Sequence, residues 1–527
     1  MATARQEKVP ATMNGAQSLV KSLVASGIDT CFANPGTSEM HFVGALDSAP
    51  ELRAVLCLFE GVATGAADGF ARMTGRPAAT LLHLGAGLAN GASNLHNARR
   101  AGSAVVNVVG DHATYHQQYD APLASDVAGI ARPFSHWVHS GTSSKTIGGD
   151  AARAVQAARE APGRIATLIL PADTAWGEAD VTAPALPVAP PAPVSAEAVA
   201  LARELLTNGG KSAILMRGHA VLSAEGLELA GRIRRKTGAK LLCDTFAPRI
   251  ERGAGVVAPE RLPYFAEMLT DFLAELDSIV LVGAQPPVGF FAYPGKPSWC
   301  LPEHCRIHYL AQPHEDGASA LAALADALGA SEADERPALA LPQAPEGKFN
   351  AFTLGQALAR VLPEHAVLSD DGATSSGPVL AALASAPHHV HMALTGGSIG
   401  QGLPVAVGAA VAAPDRKVVC ITGDGAGLYM PQALWTMARE QLDVVTIVFA
   451  NREYKILSVE MMRVGAEQPG PKAKAMFDLN DPYVDWVSLA NGFGVPAARA
   501  ETIEEFSAQI EVAMAAKGPR LIEAVLL

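Results

Sequence analysis

Residues 421–454 read ITGDGAGLYMPQALWTMAREQLDVVTIVFANREY. The apolar run KVVCITGD (417–424) predicts a strand stopping at Asp424. Gly425 follows, a helix is expected over Pro431 to Glu440, and DVVTIVFAN (443–451) predicts the next strand, ending at Asn451. In a strand–helix–strand unit with short links, both strand ends lie on one edge of the sheet. That edge, at the carboxyl ends of the strands, is where open α/β sheets take their ligands. Asp424 and Asn451, 27 positions apart, are therefore expected to converge on one cation. A carboxylate, an amide oxygen and a backbone carbonyl suit Mg²⁺, with phosphate oxygens completing an octahedron. Gly425 lets a phosphate approach the backbone at the helix start. Taken singly, Gly-Asp-Gly is usually a turn and an Asn after a strand is usually a cap. The spacing across one folding unit is what lifts the pair above that background.

The same alternation extends along the whole chain. Two Pro/Ala-rich stretches, 181–195 and 331–347, lack periodicity and read as linkers. They leave segments 13–180, 196–330 and 348–527, after a short polar N-terminus (1–12) expected to be flexible. Short apolar runs recur in each segment: AVLCLF (54–59), AATLLHL (78–84) and SAVVNVVGD (103–111); SAILMRG (212–218), AKLLCD (239–244), SIVLVGA (278–284) and RIHYLAQ (306–312); AVLSDD (366–371) and LIEAVL (521–526). Such runs with helices between them predict parallel sheets covered on both faces. The expected fold class is α/β, three doubly wound parallel-sheet domains.

Composition agrees with a large folded enzyme. The 527 residues are 49% hydrophobic and 17% charged, which excludes a disordered chain. The formal charge of −12 argues against a broad nucleic-acid or anionic-membrane surface. No apolar run approaches the roughly 18 residues of a membrane span. The first residues lack a secretory core, so a cytoplasmic location is expected. Cys300 and Cys305 near His304 and His308 match no zinc spacing and read as a loop of ordinary residues, and the remaining cysteines read as small core residues. GAGLANG (85–91) comes close to a dinucleotide fingerprint but with the wrong final spacing. It reads as the turn after the strand carrying His83, which leaves little for a dehydrogenase reading.

At this point the residues resemble a known family, the thiamine diphosphate (ThDP) enzymes, in which a GDG is followed one unit later by Asn-Asn. Here the ending is Ala450-Asn451, so the first Asn is missing. The resemblance implies metal ligation by Asp424, Asn451 and the backbone carbonyl of Glu453. ALWTMA after GDGAGLYMPQ is particularly similar to the benzoylformate decarboxylase branch. ThDP needs a carboxylic acid at N1′ of its aminopyrimidine, in an apolar place that raises its pKa. Glu60, between AVLCLF and GVATGAADGFARMTG, matches the family's glutamate; read alone, it is a carboxylate favouring a helix N-terminus. TGGSIGQGLPVAVGAA (395–410) resembles the aminopyrimidine-carrying segment, with Ile399 as the wedge bending the cofactor and Gly397 offering a carbonyl. Ala373 and Thr374 match a second diphosphate loop, and Gly425, Ala426 and Tyr454 complete the implied cofactor set. The motifs fall in the family order over nearly the whole chain. The resemblance implies a pyrimidine-binding, a central and a diphosphate-binding domain, with ThDP and Mg²⁺ as cofactors. It also implies a homodimer at minimum and a homotetramer as the usual assembly, because the cofactor lies between two subunits.

The substrate implied is a small 2-oxo acid or an aldehyde, and the chemistry is cleavage or formation of a carbon–carbon bond beside a carbonyl. NPGTSE (34–39) resembles the branch's NPGSNE, which puts Thr37 in the place of its active-site serine. His83, 23 positions after Glu60, matches its catalytic histidine. A histidine titrating near neutrality suits proton transfer, although a histidine satisfied in the core reads equally well. His112 and His116 are weaker pocket candidates, and Ile456, Leu457 and Glu460 fall where the family places its substrate pocket. A second active-site histidine is expected near 289–291, where this chain has GFF. Leu123 stands where acetolactate synthases carry a glutamine, and no flavin site is identified in the central segment, so FAD is expected to be absent. The leading expectation is a 2-oxo acid decarboxylase or carboligase. Acetolactate synthase-type condensation is the alternative, and a non-catalytic ThDP-fold protein, suggested by Ala450 and Arg452, is the third reading.

Overall fold

The computed structural model describes residues 13–466 and 469–526; the N-terminal stretch 1–12 lies outside the described residues. Three sheets with helices between their strands make an α/β chain. The first has six parallel strands in the order Arg53–Leu56, Thr30–Ala33, Ala78–Leu82, Val105–Asp111, Ile165–Pro171 and Trp137–Ser140. The second has five, ordered Glu260–Arg261, Lys240–Cys243, Ser212–Met216, Ser278–Val282 and Arg306–Ala311, again parallel. In the third, Ala497–Ala500, Arg520–Val525, Val444–Ala450, Val418–Gly423, Val367–Asp371 and His389–Met392 run parallel. Central strands such as Val444–Ala450 are buried throughout, as β-branched runs covered on both faces must be.

The third sheet has a seventh, antiparallel strand, Ile250–Arg252, which comes from the central segment. Its register pairs Arg252 with His389 and Ile250 with His391. It caps an edge that would otherwise expose unpaired backbone. Residues 181–195 hold only an isolated bridge, Ala192 to Glu315, and 331–347 contain neither helix nor strand.

The first and third sheets are joined through two buried helices, Glu60–Thr74 and Gly402–Ala412. The second is apolar all round, the pattern of a helix surrounded by protein. Small residues let the backbones meet: a Cβ on Gly408 would lie 1.9 Å from the Ala66 carbonyl oxygen. A buried ion pair within the first helix anchors hydrogen bonds across the same junction. The Arg72 guanidinium donates to both Asp68 oxygens at 2.8 and 2.5 Å, and also to the Ala393 carbonyl, Thr395 Oγ1 and Gln401 Oε1. Asp68 accepts in addition from Ser103 Oγ.

Cys300 and Cys305 are buried in the core on one face of the central sheet. At the carboxyl ends of that sheet a cleft of about 1260 Å³ opens toward the first segment, walled by Arg100, Arg217, Asp244 and Gln285. It exceeds the usual few hundred to ~1,000 Å³ of a small-molecule site. An Arg217–Asp244 ion pair lies on its wall.

Candidate active site

Strand Val418–Gly423 delivers Asp424 to the carboxyl edge of the third sheet, and its neighbour Val444–Ala450 delivers Asn451 to the same edge. The expected convergence follows from that parallel pairing. Asp424 begins a short helical turn, Asp424–Gly427, and the longer helix starts only at Ala433, later than expected. The Asp424 carboxylate accepts the Gly425 N–H at 2.9 Å and the Arg452 N–H at 2.7 Å. Burial pushes its pKa up, against the opposing pull of those two amides. The Asn451 amide oxygen accepts the Glu453 N–H at 3.2 Å. Arg452 turns its charge away, donating to Asn480 and stacking 4.3 Å from the Tyr483 ring centre. The Glu453 carboxylate accepts from Ser458 Oγ at 2.6 Å.

These groups fit Mg²⁺ and a diphosphate. The donors are all oxygen and one is anionic, so several positions remain for phosphate. The cradle is built by Gly425, where an added Cβ would meet the Tyr454 ring at 2.4 Å and Leu479 at 3.0 Å. Ala426 is buried beside it. Ala450, in place of the family's first Asn, is buried at the end of its strand and offers no ligand. Ala373 and Thr374 lie exposed in the turn Ala373–Ser375, against which the helix Lys455–Arg463 packs.

Gly397 and Ile399 lie in an irregular segment between strand His389–Met392 and helix Gly402–Ala412. Gly397 has φ +75°, a left-handed conformation, and a Cβ there would lie 2.6 Å from Phe290 Cζ. Phe290 of the GFF stretch, which replaces the expected histidine, therefore sits against Gly397. Phe290 belongs to a chain of aromatic rings, with Tyr264 at 5.2 Å, Phe246 at 5.9 Å and Phe291 at 4.9 Å between centroids.

The other candidate residues lie on the first sheet. Glu60 opens the helix Glu60–Thr74 and is 6% exposed. GAGLANG is not the expected turn. It forms the opening turns of the helix Leu84–Ala101, because the chain reverses within the single residue Leu84, at φ +49°. That difference has a use: Asn90 Nδ2 donates to Glu60 Oε2 at 3.0 Å, and a Cβ on Gly87 would lie 2.8 Å from Glu60 Oε1.

His83 caps the same helix, and sequence reasoning missed what holds it. The fully buried Glu39 carboxylate accepts from His83 Nδ1 at 2.8 Å, from the Gly36 N–H at 2.7 Å and from Ser38 Oγ at 2.7 Å. Ser38 Oγ also lies 3.2 Å from His83 Nδ1. Glu39 thus assigns the proton to Nδ1 and leaves Nε2 free on a ring that is 23% exposed. Room for the carboxylate comes from Gly110 on the strand Val105–Asp111, where a Cβ would lie 1.7 Å from Glu39 Oε1. A signal for Glu39 existed in the sequence, since the acid ends the NPGTSE stretch. Thr37 itself is exposed; Ser38 is the hydroxyl beside His83.

The remaining pocket candidates scatter. His112 and His116 stack at 5.4 Å in an exposed loop, with His112 Nε2 buried and unpartnered. Ile456 and the more exposed Leu457 lie on the surface helix Lys455–Arg463. Glu460 does not present a free charge: Arg463 Nη1 donates to both its oxygens, at 3.1 and 3.0 Å, while clasping Glu267 of the central segment. Among the described residues no hydrogen bond or ion pair joins Glu60 or His83 to Asp424 or Asn451. The candidate residues fall into two groups, Glu60 and His83 with the first sheet and Asp424 and Asn451 with the third, each a candidate half-site.

Comparisons with known proteins bear on this arrangement. Residues 13–137 match the thiamine pyrophosphate enzyme N-terminal TPP binding domain, and residues 373–524 match the C-terminal TPP binding domain. A Mycobacterium tuberculosis protein named "Putative acetolactate synthase large subunit IlvX" is 49% identical over 98% of this chain and 99% of its own length. Benzoylformate decarboxylase of Pseudomonas aeruginosa is 29% identical over 94% of this chain and 96% of its own. The fold matches the thiamine diphosphate-dependent 4-hydroxybenzoylformate decarboxylase of Rhodococcus jostii, with a TM-score of 0.83 at 24% identity over 97% of this chain and 98% of that one. The chain belongs to the thiamine pyrophosphate enzyme family, alongside acetolactate synthase large subunits and benzoylformate decarboxylases.

Proposed function

We propose that this protein is a ThDP- and Mg²⁺-dependent lyase that decarboxylates a 2-oxo acid with an apolar, aryl-sized substituent and releases the aldehyde. The observation that carries this reading is the Glu39–His83 pair, because aldehyde release needs a proton delivered to the carbon that lost carbon dioxide, whereas a condensing enzyme must keep protons from that carbon. Bound ThDP supplies a carbon nucleophile for the substrate carbonyl and takes up the electron pair left by carbon dioxide. The rest falls to the chain. Asp424, Asn451 and the Glu453 carbonyl hold the metal, and Gly425, Ala426, Ala373, Thr374 and Tyr454 surround the diphosphate. Gly397 and Ile399 orient the aminopyrimidine. Glu60 holds a proton at N1′ and keeps its geometry through Asn90. With Nδ1–H held by Glu39, His83 takes up a proton at Nε2 and, as the imidazolium, delivers that proton; Thr37 is exposed beside it.

Phe290 and Phe291 supply an apolar wall beside Gly397, which favours an aryl group over a methyl. Glu460 and Arg463, from the helix Lys455–Arg463 that also carries Ile456 and Leu457, border the same wall. A homodimer as the smallest active unit and a homotetramer as the assembly follow from the family likeness, with the first-sheet group of one copy facing the third-sheet group of another. The cofactor set is ThDP and Mg²⁺ without FAD; a flavin spectrum from the purified protein would overturn that part.

The name of the 49% identical relative favours a second reading, condensation of two 2-oxo acids. Product analysis with benzoylformate and with pyruvate separates the two. The proposal expects carbon dioxide and benzaldehyde from benzoylformate, dependent on ThDP and Mg²⁺. A 2-hydroxy-3-oxo acid from pyruvate, with no aldehyde from benzoylformate, would replace it with the second reading.

A further inference from the structure

The strand Val367–Asp371 ends in two adjacent acids, Asp370 and Asp371, which are 4% and 2% exposed. Successive strand residues face opposite sides of a sheet, and the two carboxylates have different surroundings. Asp370 is fully engaged: it accepts from His391 Nε2 at 2.9 Å, Ser376 Oγ at 2.5 Å and the Gly372 N–H at 3.1 Å. Burial alone would raise its pKa, but these donors hold it below the usual carboxylate value.

Asp371 has no such company. Its Oδ2 accepts the N–H groups of Gly400 and Gly402 at 2.7 and 3.2 Å, and its Oδ1 has no partner. Burial pushes it up to about 7, opposed by the Gly402 and Gly400 amides and aided by the charge of Asp370. The other titratable group nearby is Cys420 on the adjacent strand, and the facing loop presents backbone amides. Burying a carboxylate without a cation is costly, and a neutral acceptor would satisfy the same amides more cheaply. A stability role therefore does not account for it.

The loop that Asp371 grips runs through Gly396, Gly397, Gly400 and Gly402. Gly397 and Gly400 are left-handed, with φ +75° and +95°. Glycines this free hold one conformation only when fixed from outside. One bank is fixed by the first segment: Asn97 Nδ2 donates to the Ser398 carbonyl at 2.8 Å, and His96 Nε2 lies 3.1 Å from the Gly396 carbonyl. The other bank is Asp371, packed so closely that a Cβ on Gly402 would lie 2.8 Å from Asp371 Cβ. Gly397 and Ile399 sit between the two.

We propose that Asp371 is a positioning residue for the cofactor: by holding the Gly400 and Gly402 amides it sets the loop through which Gly397 and Ile399 meet the aminopyrimidine of ThDP. The inference rests on the proposed cofactor role of that loop. Calorimetric titration of ThDP, in Mg²⁺, into the full-length wild type, Asp371→Asn and Asp371→Ala tests it, alongside thermal melts of each apo-protein. Asparagine keeps an oxygen acceptor without the charge, and alanine removes both. The expected order of affinity is wild type, then Asn, then Ala, with about a tenfold loss at the first step.

The carboxyl is raised in the folded state, so the wild-type charge costs stability increasingly from about pH 4 to about 7. The Asp371→Asn apo-protein is therefore expected to gain in melting temperature relative to wild type as pH rises, while its ThDP affinity falls further behind. Unchanged ThDP affinity in Asp371→Ala, with a lowered melting temperature, would make Asp371 a structural residue and overturn the proposal. A wild type that binds no ThDP would instead overturn the functional reading beneath it, and the two would fall together.

Discussion

The two half-sites are built in different ways. At the edge of the third sheet, Asp424 and Asn451 are placed by neighbouring parallel strands and held by backbone amides within 28 residues of one another. On the first sheet, Glu60 is set by Asn90 from 30 residues away, and His83 by Glu39 from 44 residues away. Holding a metal and a diphosphate calls for main-chain geometry, which a short contiguous motif encodes. Handling a proton calls for a side chain in a chosen tautomer with a buried partner, and that partner comes from wherever the fold brings one.

If the comparison holds, substitutions in the two corners fail in different ways. The largest effect is expected for Glu60→Gln. Turnover should fall about 10²–10⁴-fold, with ThDP still bound, as read by steady-state kinetics beside calorimetry. Asp424→Ala should act on affinity instead. It removes the anionic ligand, so the loss of ThDP affinity in Mg²⁺ should exceed the ~10–100-fold typical of residues one shell further out. Retained affinity would break the comparison at its metal end.

The wild type gives a pH test of the same corner. Burial raises the Asp424 pKa, so protons compete with the cation as pH falls. The rise in melting temperature on adding Mg²⁺ and ThDP should shrink toward acid pH, and a rise that grows there would contradict the assignment. Glu39→Gln should cost about 10–100-fold in kcat, leave ThDP affinity alone and alter the pH–rate profile. Phe290→Ala should give the smallest change, a shift of about tenfold in the preference for aryl over small 2-oxo acids, read as a ratio of kcat/KM values.

The same contrast explains what was legible in the sequence. Long β-branched runs such as DVVTIVFAN announced the central strands, and the Asp424–Asn451 spacing announced that these two residues meet at one sheet edge. The strand Ala497–Ala500 is alanine-rich and His389–Met392 is half histidine, so neither carries a β pattern. Ile250–Arg252 escaped because three residues take their strand identity from the His389–Met392 edge they pair with. GAGLANG misled because glycines read as a turn, whereas here they let a helix approach Glu60. The pairing of Glu460 was not legible, because Arg463, one turn further along the same helix, holds it only while also reaching Glu267 of the central segment. Glu39 was hidden because only the packing of Gly36, Gly110 and His83 around it shows that the carboxylate is buried.

The most direct test of the account is carbon dioxide release from benzoylformate, measured with ThDP and Mg²⁺ for the wild type and for Glu60→Gln side by side. The account predicts release by the wild type that requires both cofactors and nearly vanishes in the variant. Release undiminished in Glu60→Gln, or none from a wild type shown to bind ThDP, would contradict it.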